Sequence, residues 1–206
     1  MRLSEARREY FRRRAREEGY LSRAAYKLIQ IDDKYRFLSK GAKVLDLGCA
    51  PGGWSQVASA RVTDKGLVVG VDLSPVSFKA RNYLFVKGDI SSPQTLQLIR
   101  ESSSSFDCVL SDLSPKLMGV WDADSSRQVA LASEALDITK LFLRGGGTAV
   151  FKLFQGETTN EFIGEAKKLF QRVVISKPPA SRKQASEIYL VCLGLLADKF
   201  AADKEL

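Results

Sequence analysis

The chain has no histidine. That removes the imidazole base, the usual proton acceptor near neutral pH, and every His-ligated metal site. Cysteine is scarce. Cys49, Cys108 and Cys192 are an odd set, far apart, each within an apolar stretch. They fit small buried hydrophobes in a reducing compartment, not a disulfide frame or a zinc site, so no metal is expected. No apolar run approaches the roughly 18 residues of a membrane span. The N-terminus also lacks the apolar core of a signal peptide. A cytoplasmic chain without a membrane partner is therefore expected. The pattern shows no internal repeats, and a single domain acting as a monomer is expected.

Acidic residues are in deficit, and the deficit is local. Lys and Arg number 32 against 24 Asp and Glu, a net charge of +8. Residues 1–40 hold twelve of the bases and six of the acids, so +6 of the excess lies there. A basic terminus on a near-neutral domain suggests a polyanion such as nucleic acid. The plainer alternative is a solvated helix with its own ion pairs, which Glu17 and Glu18 would support.

What is present centres on Val44-Leu45-Asp46-Leu47-Gly48-Cys49-Ala50-Pro51-Gly52-Gly53-Trp54. An apolar run carrying one carboxylate stops at Gly48, and a helical pattern (Trp54, Val57, Ala58) follows the glycines. This reads as strand, tight turn, helix, the opening of an α/β nucleotide-binding unit. It is not G-x-G-x-x-G, because Ala50-Pro51 stands where the second glycine belongs, and this disfavours a nicotinamide dinucleotide. Phosphate turns rely on backbone N–H groups, and Pro51 has none. An adenosine that carries a sulfonium instead of phosphates, S-adenosylmethionine, fits better.

Around that unit the chain reads as follows. Residues 4–18 are Arg-dense, with Tyr10 and Phe11 among them, and Gly19 breaks the segment. It would lie along a phosphate backbone or fray without one. Ser22 is placed to cap a helix from Arg23 to about Arg36. Leu67 to Val71 is a second strand ending at Asp72, which lies 20 residues beyond Gly52, the spacing at which a carboxylate meets ribose hydroxyls. Tyr83 to Val86 is a third strand. Asp89 after it either accepts from an adenine amino group or closes a turn. A fourth strand, Phe106 to Leu110, leads to Asp112, at the strand end where open α/β sheets bind ligands. Residues 113–123 form a loop, with Lys116, Met118 and Trp121, able to cover a substrate. A long helix is expected from Asp124 to Arg144, ended by Gly145-Gly146-Gly147. Thr148 to Phe154 is a strand with Lys152 among apolar neighbours, and Thr158 to Phe170 a helix. Arg172 to Ser176 and Glu187 to Leu195 are the last strands. The basic loop 177–183 between them is a candidate phosphate contact. Its connection is short for a parallel crossover, so one of the two strands should run antiparallel.

These residues resemble the RrmJ/FtsJ family of RNA ribose 2′-O-methyltransferases, from about Gly19 to Leu195. The resemblance rests on five stretches in order. They are Ser22 to Leu28, Asp46-Leu47-Gly48 with Pro51 to Gln56, Ser111-Asp112, Val150 to Gly156, and Ser186-Glu187-Ile188-Tyr189. It implies a Rossmann-like S-adenosylmethionine-dependent methyltransferase fold: a mainly parallel seven-stranded sheet with one antiparallel strand and helices on both faces. The implied organisation is a basic N-terminal extension (1–20), a methyltransferase domain (21–197) and a C-terminal tail (198–206). The family's catalytic Lys-Asp-Lys-Glu tetrad falls on Lys27, Asp112, Lys152 and Glu187. Its cofactor contacts fall on Gly52, Trp54, Asp72, Asp89 and Asp112.

The implied reaction is an in-line attack of a ribose 2′-oxygen on a methyl group. Alignment can supply about 7–11 kcal/mol, and a positioned base about 10²–10⁴-fold. With no histidine, Lys152 is the expected proton acceptor. A lysine holds its proton to about pH 10 in water. Burial, Lys27 and a cationic cofactor favour the neutral amine, whereas Asp112 and Glu187 favour the ammonium. Those carboxylates are read as orienting the lysines, and Lys27 as tuning Lys152 or holding the ribose. A uridine of large-subunit ribosomal RNA is the favoured substrate, with a tRNA anticodon loop as the alternative. A non-catalytic RNA-binding assembly factor and a methyltransferase for protein or small molecules are the other readings.

Overall fold

Short β-branched runs and amphipathic stretches alternate along the chain, and they fold as strands and helices in that order. The computed structural model describes residues 3–181 and 187–196, with side chains from Glu9 onward. The strands are β1 (Lys43–Leu47), β2 (Leu67–Asp72), β3 (Tyr83–Lys87), β4 (Phe106–Ser111), β5 (Leu143–Phe154), β6 (Phe170–Ser176) and β7 (Glu187–Leu195). The helices are α1 (Leu3–Glu17), α2 (Ala25–Tyr35), α3 (Gly53–Val62), α4 (Pro93–Ser102), α5 (Trp121–Phe142) and α6 (Thr159–Leu169).

The strands form one sheet in the order β3-β2-β1-β4-β5-β7-β6. The pairs β1–β2, β1–β4, β2–β3 and β4–β5 are parallel, and β7 runs antiparallel to both β5 and β6. The antiparallel strand expected at the C-terminal end is therefore β7. Strand alternation gives each face its own core. Val44, Cys108, Val150 and Tyr189 pack under α2 and α3. Leu45, Val109, Phe151 and Leu190 pack under α5 and α6. The chain steps outward from β1 to β3, then returns to place β4 on β1's other side. The carboxyl ends of β1 and β4 thus flank the crevice where such sheets bind ligands.

Three local expectations change. Ser22 does not cap α2. Residues 22–26 form turns (Ala25 N–H to Ser22 O, 3.2 Å; Tyr26 N–H to Arg23 O, 3.3 Å), and the Ser22 hydroxyl sits where a side chain on Gly53 would have to go. The helix starts at Ala25 instead. The glycine triplet 145–147 does not end the long helix. That helix stops at Phe142, and β5 begins at once with fully buried Leu143 paired to Phe106. The glycines make the irregular stretch before regular pairing resumes at Thr148, because a Cβ on Gly147 would collide with Leu143. Trp121, expected in a loop, is the first residue of α5.

The Arg-dense terminus is helical over its described length and is docked on the domain. Phe11 and Ala15 are buried in a small cluster with Tyr26 and Ala180, and the Arg14 guanidinium lies 5.1 Å from the Tyr26 ring centre. The i, i+4 apolar pair therefore docks α1, while Arg12, Arg13 and Arg16 stay exposed. Arg182 and Lys183 of the basic loop, and the tail from residue 197, lie outside the described residues.

Candidate active site

A cavity of about 510 Å³ opens at the carboxyl ends of β1, β2 and β4. Its floor is the turn after β1. Gly48 has φ +75°, the left-handed region that glycine adopts freely, and a Cβ there would lie 2.8 Å from Leu113. Asp72 fastens this turn. Its Oδ2 accepts from the Ala50 N–H at 2.9 Å and its Oδ1 from the Ser74 N–H at 2.8 Å. Asp89 Oδ1 accepts from the Ser91 N–H (2.9 Å) and hydroxyl (2.8 Å). The backbone bond is the main reason its carboxyl is held below the usual range. Asp89 thus closes a turn and also lines the cavity. Asp112, with Leu113 and Ser114, forms the opposite wall.

The structure adds residues that the sequence reading passed over. Leu131 and Glu134, one helical turn apart on α5, face the same cavity. An acid on an amphipathic helix reads as a solvated residue, so no signal marked Glu134. The cavity therefore presents four carboxylates: Asp72, Asp89, Asp112 and Glu134. Such walls repel phosphate and suit a cation. Two residues expected as cofactor contacts do not line this cavity. Trp54 is 2% exposed. Its indole N–H donates to the Ala24 carbonyl at 3.0 Å, and its ring lies 5.6 Å from that of Tyr189. Gly52 precedes α3 with φ +114°, and a Cβ there would press on Leu21, Val76 and Phe78. Neither is among the residues lining the cavity.

The four tetrad residues come together from four elements. Lys27 lies on α2, Asp112 after β4, Lys152 near the end of β5, and Glu187 at the start of β7. Lys27 Nζ is 2.7 Å from Glu187 Oε1. Lys152 Nζ donates to the Asp112 carbonyl at 2.6 Å and lies 3.3 Å from Asp112 Oδ1. Both lysines are only 6% exposed, so these carboxylates compensate charges that burial would otherwise disfavour.

Tyr189 joins the two pairs. It is the register partner of Lys152 and fully buried. Its hydroxyl donates to Asp112 Oδ1 at 3.2 Å, while Lys27 Nζ sits 5.6 Å from its ring centre. Burial first, then the Asp112 and Glu187 carboxylates, push its pKa well up, so the hydroxyl stays a donor. Ser181 donates to Glu187 Oε1 at 3.0 Å, and the Gln128 amide donates to the Leu113 and Lys152 carbonyls at 3.1 and 2.9 Å. The two-residue step from Glu187, which puts Tyr189 on the same strand face, was the available sequence signal for that residue.

Below the tetrad, Asp46 is fully buried, and its Oδ2 accepts from the Ser55 hydroxyl at 2.6 Å. Burial, above all, pushes its pKa up to about 7, against the Ser55 bond that lowers it. Among the described residues, no group of three or more Cys, Asp or Glu is arranged to hold a metal ion. No described helix is long and apolar enough to cross a membrane.

Known proteins resemble this chain in sequence and fold. The family model for FtsJ-like methyltransferases matches residues 20–195. The chain belongs to that family. The methyltransferase is 43% identical over 190 residues to ribosomal RNA large subunit methyltransferase E of Methanothrix thermoacetophila, covering 92% of this chain and 73% of that protein. It is 42% identical over 197 residues to the protein of the same name from Nitrosopumilus maritimus, covering 95% and 100%. Among solved structures, one from Plasmodium falciparum described as a ribosomal RNA methyltransferase superposes with a TM-score of 0.77 at 32% identity, covering 86% of this chain and 100% of that one. Fibrillarin from Aeropyrum pernix, solved with bound S-adenosyl-L-methionine, shares the fold with a TM-score of 0.53 at 20% identity, over 75% and 68%. The cofactor of the methyltransferase is S-adenosylmethionine. Its net positive charge suits the four carboxylates, and it carries no phosphate for them to repel.

Proposed function

We propose that this methyltransferase methylates a ribose 2′-oxygen in RNA, with a uridine of large-subunit ribosomal RNA as the target. One observation carries the reading: Asp112 lines the cofactor cavity and also holds Lys152. A donor in the cavity and a hydroxyl at Lys152 are thereby adjacent. The relatives named for large-subunit ribosomal RNA support the choice of RNA.

In this reading Asp72, Asp89 and Asp112 hold the cofactor. Gly52 and Trp54 act behind it, Gly52 by opening the turn into α3 and Trp54 by bracing Tyr189 and α2. Bound there, S-adenosylmethionine supplies a methyl group activated by sulfonium. The protein's tasks are alignment and removal of one proton. Lys152 in its neutral form has two N–H groups, and the Asp112 carbonyl oxygen and Oδ1 both lie within reach of them. Its lone pair is then left for the 2′-hydroxyl proton, which it takes as the new O–C bond forms; the methyl's bond to sulfur would break in the same displacement, its electron pair leaving with the neutral thioether. Lys27, fixed by Glu187, holds the ribose.

The test is labelled methyl transfer to large ribosomal subunits and to bulk tRNA, followed by mapping of the 2′-O-methyl position. Wild type should label a uridine of the large subunit. Lys152→Ala should lose at least roughly 10²-fold in kcat while cofactor affinity by calorimetry stays close to wild type. Label in tRNA alone would reassign the substrate. Full turnover in Lys152→Ala would remove that lysine from the proton-accepting role.

A further inference from the structure

Beside the tetrad the protein exposes a compact apolar surface that the reaction chemistry leaves unused. Leu117, Met118, Val120 and Trp121 are 61%, 62%, 58% and 45% exposed. Water opposes such a cluster, so its presentation points to a partner. The segment is held out by specific bonds. Asp124, itself buried, accepts from the Met118 N–H at 2.8 Å and the Gly119 N–H at 3.0 Å. Gly119 turns the chain at φ +84°. Arg127 donates to the Lys116 carbonyl at 3.2 Å, and Gln128 ties Leu113 to the Lys152 backbone. The loop is thus fastened to α5 at its start, middle and tip.

Its indole end meets the site. Trp121 packs on Phe154, with ring centres 5.8 Å apart and planes 35° from parallel. Phe154 is two residues beyond Lys152, hence on the same strand face about 6.6 Å along, and it is the register partner of Glu187. A ribose presented to Lys152 therefore has its base within reach of this aromatic pair.

The geometry points to the exposed face of Trp121, backed by Phe154, as the platform on which the base of the target nucleotide stacks. This rests on the proposed RNA reading and names the base-holding part of that same site. A flat, partly exposed indole accepts any base face, and stacking needs no polar partner. The base must leave its helix to reach the platform, so the substrate is a single-stranded or unpaired nucleotide. Asp124 serves as a positioning residue, because it holds the turn from which Trp121 projects.

The chain has two tryptophans, and Trp54 is buried. The fluorescence difference between wild type and Trp121→Phe therefore isolates Trp121. Two measurements use the full chain. The first titrates wild type and Trp121→Phe with a single-stranded oligonucleotide spanning the mapped site. The second follows methyl transfer to an unmodified, protein-free ribosomal RNA transcript and, in parallel, to intact large ribosomal subunits. Quenching of the Trp121 component is expected on titration. Trp121→Ala should lose roughly 5- to 150-fold in kcat/KM, the range seen when a stacking ring is truncated. Trp121→Phe should recover most of that loss, and cofactor affinity should hold in both variants. Wild-type kcat/KM for Trp121→Ala on the transcript would overturn the platform. A loss seen only with intact ribosomal subunits would also overturn it, assigning the surface to a protein contact. A wild type that methylates no RNA would overturn the function reading and the platform with it, a result distinguishable from failure of the platform alone.

Discussion

Single residues here carry more than one task, and Tyr189 shows it best. Its hydroxyl bonds Asp112, its ring underlies Lys27, and Trp54 braces it from behind. Tyr189→Phe removes only the hydroxyl. Hydrogen bonds to charged groups contribute about 1.5–3 kcal/mol. The loss should appear mainly as a kcat lowered by roughly tenfold or more, because Asp112 is then less firmly aimed at Lys152. Steady-state kinetics with RNA saturating would check this, and an unchanged kcat would remove Tyr189 from the alignment. Asp46 makes a different demand. Its native pKa of about 7 lies above the roughly 3.9 of an unfolded aspartate. Between those values the native state binds more protons than the unfolded state. Asp46's contribution to stability is therefore full at acid pH and lost as pH rises through 7. Asp46→Asn cannot titrate, so its stability relative to wild type should improve from pH 5 to pH 8, on the order of 2 kcal/mol. Urea unfolding of both proteins at the two pH values would read this, and a difference independent of pH would contradict it.

At the scale of elements, what was legible in the sequence depended on how local the cause was. The strands β1, β2, β4 and β7 follow from continuous apolar runs, and the short link before β7 indicated that one of the last two strands runs antiparallel, without saying which. The turn after β1 was legible because glycine and proline constrain backbone directly. The misread pieces were settled by distant partners. Ser22 has the chemistry of a cap, but its hydroxyl is committed to the space above Gly53, 31 residues away. The glycines 145–147 look like a helix stop, but burial of Leu143 against β4 draws the chain into the sheet first. The fate of α1 was not legible, because Phe11 and Ala15 bury in a cluster with Tyr26 and Ala180, the latter near the far end of the chain. The site shows the same division. Lys27, Asp112, Lys152 and Glu187 came from motif resemblance, and their meeting follows from the strand order. Glu134 and the pairing of Trp121 with Phe154 depend on how α5 lies across the sheet, which no local pattern encodes.

At the scale of the whole molecule, the basic terminus and the tetrad belong to one packed body. Helix α1 rests on Tyr26, next to Lys27, and on Ala180, whose N–H donates to the Gln30 side chain at 2.9 Å. Ser181, the next residue, bonds Glu187. The exposed Arg12, Arg13 and Arg16 are thus fixed relative to the reacting groups. Arg13 is 3.6 Å from Glu17, but both side chains are well exposed, and such a pair contributes little and yields readily to phosphate. An RNA strand lying on α1 while its nucleotide enters the tetrad would neutralise phosphates there and release their counterions. Each single-strand phosphate contact adds about 0.7 to the slope of log affinity against log salt. Replacing Arg12, Arg13 and Arg16 together with Gln should flatten that slope by about 2 and weaken RNA binding most at low salt. Filter binding to the unmodified transcript between 50 and 300 mM salt would measure it. An unaltered slope would mean that the RNA approaches from another side, and the net charge of this helix would then serve solubility instead.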